Sequence, residues 1–393
     1  MARILHVVAS PRAEGTPRLV LDWLAVRGHE QSVLFLAGNP PDLLAEFRGA
    51  ARTVEVCNVL VPGWRKFPAI FRAAREQVRG QKPDLVIAWP MGYSHWVFLG
   101  ARAAGTRASL LSHCGNPPGI GWKHRFLLTW VCLWTTRACA GRVVACSRYV
   151  QGRFRGVPLV PSSVLGFAYN CVQTSIFASR SDAARRSRHP DGRFRAVMVA
   201  TLEGHKDHAT LIRAAGLLRA RGLGIDVLLA GAGSLEAPLR ALAAELGVEG
   251  TVVFLGARSD VPEVLGGCDV FVLSTTPSEG RPGVIMEALA AGLPIIASDV
   301  EPLREVLENG RWGTLVPPGN PEALADSLAA ASRSGPPDAR RVAELRSHAA
   351  GFTPERMIAD YLREAGMVPE NGAARPAPIG LGGGNRSVAS LDT

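Results

Sequence analysis

The chain has 393 residues, 47% of them hydrophobic and 20% charged, a length and balance that give two or three globular domains, each able to build its own core. No run of about 18 uninterrupted apolar residues occurs, which excludes an ordinary transmembrane helix, and the opening MARILHVVAS is too short and too strand-like for a signal peptide. The net charge of +10 is uneven: residues 1–180 hold 22 Lys and Arg against 8 Asp and Glu (+14), and the remainder hold 22 against 26 (−4).

A basic first half fits an anionic partner: a lipid surface, a phosphorylated acceptor or nucleic acid. No nucleic-acid motif accompanies the charge, so nucleic acid is set aside. Only four basic residues are Lys (66, 82, 123 and 206), which makes each of them more informative. Seven scattered Cys without a Cys-x-x-Cys pair indicate reduced thiols and a cytoplasmic setting. Cys132, Cys139 and Cys146 are spaced by sevens, which reads as one helix face rather than a metal site.

In chain order, residues 3–9 read as a buried parallel strand, and a polar turn then opens a helix at Pro17 that Gly28 ends. Strands follow at 32–36, 53–56 and 83–89, and helices at 43–50 and 69–78. Trp64-Arg65-Lys66-Phe67 reads as an exposed loop, and residues 90–96 as a rim loop. A strand at 108–111 runs directly into Ser112-His113-Cys114-Gly115-Asn116. The apolar helix at 126–137, about three turns long, cannot span a bilayer; it is a core helix or a shallow membrane contact.

Residues 179–192 (SRSDAARRSRHPDG) have the composition of a linker. The second half restarts with a strand at 194–200, the loop Thr201 to His208, and a helix at 209–221. Ala230-Gly231-Ala232-Gly233-Ser234 fails as a dinucleotide fingerprint, because Glu236 stands where the third glycine belongs. A helix at 235–246, a strand at 251–255 and the turn Gly256-Ala257-Arg258 lead to a short helix at 260–266.

The chain is organised around residues 273–299: a buried strand (269–273) runs into a polar loop, the tight turn Glu279-Gly280-Arg281-Pro282-Gly283, a helix stopped by Gly292 and Pro294, then another strand. In open parallel sheets ligands bind outside the carboxyl ends of the strands. Glu279 and Glu287 lie there with seven residues between them. A carboxylate accepts two hydrogen bonds at once, which suits a vicinal diol, and free amides at a helix start suit a phosphate. Taken alone, such a pair is more often a solvated loop residue and a capping or ion-pairing helix residue.

The letters around the pair decide between these readings. SEGRPGVIMEALAAGLPIIASD resembles the Glu-x7-Glu signature of retaining glycosyltransferase family 4, nucleotide-sugar enzymes with the GT-B fold. The resemblance runs over roughly residues 3–365 and is strongest over 194–330. It implies an α/β chain with two Rossmann-like parallel-sheet domains facing a central cleft. An acceptor-side domain spans 1–177, a linker 178–192, and a nucleotide-sugar domain 193–350. A crossover helix at 351–365 returns to the first domain, and a Gly- and Pro-rich disordered tail occupies 366–393.

By the same resemblance Glu279 holds hydroxyls of the transferred sugar, Glu287 holds the ribose, and amides at Pro282, Gly283 and Val284 line the pocket with Arg281 beside them. Lys206 neutralises the donor diphosphate; the Arg that usually accompanies it reads Thr201 here. Gly15 is the single glycine in a loop that usually carries two near the phosphate. Gly256 and Arg258 seat the base, His113 points at the transferred sugar, and Glu305 is structural. The implied reaction moves a glycosyl group from a nucleotide-diphosphate sugar to a hydroxyl of a glycan or lipid-linked acceptor, with retained configuration and by front-face displacement. It implies no cofactor and no metal, and the chain has no Asp-x-Asp to hold one. Bacterial polysaccharide or glycolipid assembly is the expected setting, in the cytoplasm or peripherally on the inner membrane face. The alternatives are a catalytically weak sugar-nucleotide-binding protein, favoured by Thr201 and the depleted glycine loop, and a sugar-nucleotide epimerase of the same fold.

Overall fold

The computed structural model describes residues 1–368 except 61, 62, 64, 90, 118–121, 156–160, 187–191, 205 and 277–281; of 122–128 it describes the backbone only. Glu279, Arg281, Trp64, Pro90 and the tail from 369 onward lie outside the described residues.

The first half alternates strand and helix: β1 (Arg3–Val8), α1 (Gly15–Leu24), β2 (Glu30–Phe35), α2 (Leu44–Ala50), β3 (Thr53–Val56), α3 (Lys66–Gln81), β4 (Leu85–Ala88), α4 (Met91–Ala103), β5 (Ser109–Cys114), α5 (Trp122–Ala138), β6 (Arg142–Ala145), α6 (Arg148–Arg155) and β7 (Leu165–Phe167). After α7 (Thr174–Arg186) come β8 (Phe194–Val199), α8 (His208–Ala220), β9 (Ile225–Ala230), α9 (Glu236–Glu245), β10 (Val252–Gly256), α10 (Val261–Gly266), β11 (Val270–Leu273), α11 (Gly283–Ala291), β12 (Ile295–Ser298), α12 (Glu301–Val306), β13 (Thr314–Val316), α13 (Pro321–Ser334), α14 (Ala339–Ala349) and α15 (Pro354–Glu364).

Short runs such as LVIA and VFVL are buried at every position, the signature of strands covered by helices on both faces. They assemble into two separate sheets, parallel throughout. The first has the order β3-β2-β1-β4-β5-β6-β7 and the second β10-β9-β8-β11-β12-β13. Both reverse direction beside their first strand, the crevice where open sheets of this kind take ligands. These are the two Rossmann-like domains that the resemblance implies.

Local chemistry explains the helix ends. Asn320 accepts from Ala323 N (2.9 Å) ahead of Pro321, and Asp338 accepts from Arg341 N (2.7 Å), both side-chain caps on otherwise unpaired amides. α11 stops at Gly292, whose φ of 77° suits glycine, and a Cβ there would lie 2.6 Å from Val342 Cγ1 on α14.

Four expectations need correction. Residues 178–192 are not a linker throughout: α7 is helical to Arg186 and packs on α10 and α11 of the second domain. Ser181 is buried there and donates to Pro262 O (2.8 Å), while Asp182 receives Arg346 at 2.7 and 2.9 Å. Gly266 makes the approach possible, since a Cβ would sit 2.4 Å from Ser181 O. Polar composition hid a helix whose small residues face a neighbour. Met91 to Trp96 open α4 rather than forming a loop, with Ser94 Oγ donating to Met91 O (2.8 Å) and His95 buried. Lys66 and Phe67 begin α3, and Phe67 stacks on Trp96 (5.6 Å). Cys132 lies in α5, Cys139 just beyond it and Cys146 after β6, so they share no helix face.

The crossover helix is present. α15 delivers Met357, Ile358, Tyr361 and Leu362 into the first domain's core beside Trp23, Phe35, Phe47 and Trp89. Glu364 at its end pairs with Arg142 (2.8 Å) and accepts from Phe167 N (3.2 Å). A second tie joins the domains at α6. Glu305, buried on α12, accepts from Arg148 N (2.9 Å) and Tyr149 N (2.8 Å), the first amides of α6, and Ser147 Oγ takes the next from Val150 (3.1 Å). One carboxylate thus caps a helix of the other domain, where its charge also complements the helix dipole. Glu305→Ala leaves two amides without acceptors and should lower unfolding free energy by about 1–3 kcal/mol in urea titrations, with Glu305→Gln recovering part of the loss. An unchanged midpoint for Glu305→Ala would deny the tie any energetic weight.

Candidate active site between the two sheets

Each site loop leaves the carboxyl end of a strand. In the first domain β1 leads to α1, which begins at Gly15; Glu14 at the cap position makes no capping hydrogen bond, its carboxylate accepting instead from Arg12 Nη1 (3.1 Å), and the first turn holds no acid. Gly15 is exposed and nothing lies within 4 Å of a Cβ placed on it. Arg18 and Asp22 follow at three and seven residues, on the same helix face.

In the second domain α11 begins at Gly283 behind Pro282, a residue with no side-chain acceptor for the helix's first amides. Gly283 is also open to its surroundings. Val284 is half-buried, and Glu287, one turn further on, is half-buried too. Burial lifts the Glu287 carboxyl to about 7; the charge of Asp22 pushes the same way and Arg18 opposes it. Asp22 is raised to about 6 by burial, against a hydrogen bond from Gln173 and the charge of Arg18. The α1 face carrying Gly15, Arg18 and Asp22 is therefore the one that looks across at Glu287.

Beside α11 runs the loop from β8. Asp207 N donates to Ser274 O (3.1 Å), stitching this loop to the one that follows β11, and the Asp207 carboxylate caps α8 through Thr210 N (3.1 Å) and Oγ1 (2.6 Å). Lys206, half-buried, is placed one residue before that stitch, with its carbonyl facing the His208 ring (2.9 Å). Thr201 is exposed. Its neighbours Ala200 and Leu202 pack against the glycine pair: a Cβ on Gly231 would sit 1.9 Å from Ala200 O. Those glycines serve close backbone packing. Gly256, at φ 67°, turns the chain after β10, and Arg258 is exposed and held bidentately by Asp260. They share this edge but stand at its far end, on the outermost strand.

His113 sits near the end of β5, buried, with Nδ1 2.7 Å from the Tyr361 hydroxyl and its ring tilted toward Trp89 (5.1 Å). Burial pushes its pKa down to about 4, so it is neutral at physiological pH. Below it Trp89 Nε1 donates to His6 Nδ1 (3.1 Å), and His6 Nε2 meets Gln31 Oε1 (3.1 Å). A cavity of about 460 Å³ lined by Arg193, Arg195 and Asp269 opens at the opposite, amino ends of the second sheet, where Arg193 is already paired with Asp226 (2.7 Å).

The structure thus gathers Lys206, Pro282, Gly283, Val284 and Glu287 on one wall, with Arg18 and Asp22 of α1 acting on Glu287 from the other domain and Gly15 open at the start of that helix. His113 is held deeper in the first domain, and Glu279 and Arg281 fall outside the described residues. Sequence reading missed Arg18, Asp22 and Tyr361. Helical spacing from Gly15 points to the first two; nothing local points to Tyr361.

Two family models match in tandem: Glycosyltransferase Family 4 over residues 18–176 and Glycosyl transferases group 1 over residues 179–346. The chain is 35% identical over 129 residues to the putative glycosyltransferase EpsD of Bacillus subtilis, covering 33% of this chain and 34% of EpsD. The chain thus spans about a third of that relative's length. It is 29% identical over 327 residues to a GDP-mannose-dependent alpha-mannosyltransferase of Mycobacterium tuberculosis, covering 79% of this chain and 81% of the relative. Among solved structures, HepE of Anabaena in complex with UDP and glucose superposes with a TM-score of 0.75 at 20% identity, covering 93% of this chain and 99% of HepE.

The raised pKa of Glu287 makes a signed prediction. Between pH about 4.5 and about 7 the unfolded chain releases this proton and the folded chain keeps it, so stability falls as pH rises through that window. Glu287→Gln should therefore melt above wild type at pH 8 and level with it near pH 4. Parallel melting curves at both pH values would contradict the assigned burial.

Proposed function

The chain belongs to glycosyltransferase family 4, and on that premise we propose that it is a retaining glycosyltransferase, moving a sugar from a nucleotide-diphosphate donor to an acceptor hydroxyl in cell-surface polysaccharide or glycolipid assembly. The observation that carries this reading is the placement of Glu287 one turn inside an uncapped helix start, beside the Lys206 loop and opposite the open start of α1.

The chemistry follows from that placement. The amides of Gly283 and Val284 and the Lys206 ammonium stabilise the departing diphosphate. Glu287 accepts the two hydroxyls of a ribose, a contact that favours its ionised form and works against the burial that raises its pKa. Glu279 holds hydroxyls of the transferred sugar. The leaving phosphate takes the acceptor proton, so the reading calls on neither a protein base nor a metal. Thr201 contributes no charge, and Arg18 is the cation that the facing helix offers in its place. The relative that depends on GDP-mannose and the neighbour that holds UDP and glucose both support a donor of this class.

The acceptor side adds a surface. Leu99 on α4 and Val131 and Trp134 on α5 are exposed, Trp130 lies 5.6 Å from Trp134, and Arg137 covers the Trp134 ring at 5.7 Å. Among the described residues no helix is long and apolar enough to cross a membrane. Exposed aromatics beside cations in a half of net charge +14 fit an anionic bilayer surface, which would bring a lipid-linked acceptor to the cleft.

Calorimetry with a panel of nucleoside diphosphates tests the donor site. Glu287→Ala should weaken the best binder by about ten-fold or more, and Glu279→Ala should reduce sugar transfer further than it reduces nucleotide affinity. Unchanged affinity in Glu287→Ala sinks the donor assignment, and binding without turnover on any sugar nucleotide favours a binding protein instead. Sedimentation with liposomes should require anionic lipid and fade with added salt; association indifferent to both removes the membrane surface.

A further inference from the structure

His113 and Tyr361 stand 248 positions apart, one on β5 and one on the crossover helix, and meet at 2.7 Å with both side chains buried. Tyr361 packs edge-on to Trp23 (4.9 Å) and stacks near Trp89 (6.0 Å), so its ring cannot swing its hydroxyl elsewhere. Burial raises its pKa well above the ordinary phenol value, which keeps the hydroxyl protonated. That proton needs an acceptor.

Hydrogen-bond directions settle which one. Trp89 Nε1 can only donate, and it is committed to His6 Nδ1; His6 then donates through Nε2 to Gln31, whose amide donates to Val26 O (3.2 Å). Nearby Glu364 is held by Arg142 and Phe167 N. Among the described residues the Tyr361 hydroxyl meets only His113 Nδ1. Were His113 protonated on Nδ1, two donors would face each other or the phenol proton would be buried without a partner, a penalty that biases the tautomer ratio by about ten-fold or more. The neutral ring therefore carries its proton on Nε2. That atom lies toward the carboxyl end of β5: a Cβ placed on half-exposed Gly115 would be 3.4 Å from it.

We propose that Tyr361, delivered by the crossover helix, is the positioning residue that fixes His113 as a hydrogen-bond donor through Nε2 at the cleft edge. The tautomer follows from the network alone; its use in sugar transfer rests on the function proposed above. So fixed, His113 offers a proton to an oxygen of the bound sugar or of the acceptor and cannot take a proton from the acceptor at that atom. This divides the labour: proton removal stays with the leaving phosphate, and His113 contributes orientation.

The test is nitrogen NMR on protein labelled in its histidine rings, with His113 identified by the signals lost in His113→Asn. Wild type should show His113 protonated on Nε2, and Tyr361→Phe, which removes one oxygen and keeps the ring, should populate the Nδ1–H form. In a transfer assay Tyr361→Phe should lose about ten-fold in kcat with nucleotide affinity unchanged. A wild-type His113 protonated on Nδ1 overturns the proposal even if Tyr361→Phe fails to fold. A Tyr361→Phe protein unaltered in both tautomer and kcat overturns it too. Absence of turnover in wild type would instead strike the proposed function and leave the tautomer readout intact.

Discussion

The carboxylate of Glu305, shared between the first two amides of α6, ties the second domain to the first, and a cleft between two sheets requires such ties. A parallel sheet covered by helices on both faces leaves only its strand ends for chemistry. Two such sheets make one site only when their carboxyl ends are held opposite each other. Glu305 fixes one side of that arrangement, and α15 fixes the other by leaving the second domain and completing the core of the first. The action of Asp22 and Arg18, on α1, upon Glu287, on α11, presupposes that orientation.

Within the cleft the electrostatics are not those of a surface optimised for stability. Two carboxyls from different domains are both raised by burial, Asp22 adds its charge against Glu287, and among the described residues the cation opposing both shifts is Arg18, which is exposed. Elsewhere the chain pairs its charges routinely, as in Arg346 with Asp182 or Arg304 with Asp299. Unfavourable charge at this opening, beside helix starts left without side-chain caps, is the pattern of a site prepared for a ligand with hydroxyls and negative charge.

Much of this was legible in the letters. Uninterrupted apolar runs announced most of the strands, and β12 falls where the pattern places it, because a strand buried on both faces tolerates little else; the edge strand β3 shows instead the alternation of a half-exposed one. The turn from Glu279 to Gly283 and the helix after it stood out through local signals: two glycines, a proline and a Gly292 stop. Local signals failed where tertiary contact decides. α7 looks like a linker because its contacts with α10 run through Ser and Ala, and α6 is a short, Arg-rich helix whose buried face is only Val150 and Phe154, too brief a pattern to mark it. The partners of the recognisable residues were the least visible. Arg18 and Asp22 matter through a helix in the other domain, and Tyr361 acts on a histidine 248 positions earlier.

The crossover helix also sets the order in which the molecule can be finished during synthesis. Chains emerge from the ribosome amino end first and their domains tend to fold as they appear. Here the sheet made first must wait with Trp23 and Trp89 uncovered until Met357, Ile358, Tyr361 and Leu362 arrive, after the whole second domain has been translated. The earliest domain to form is thus the last to close, and a chimera that exchanges the two halves has to move this terminal segment together with the leading one.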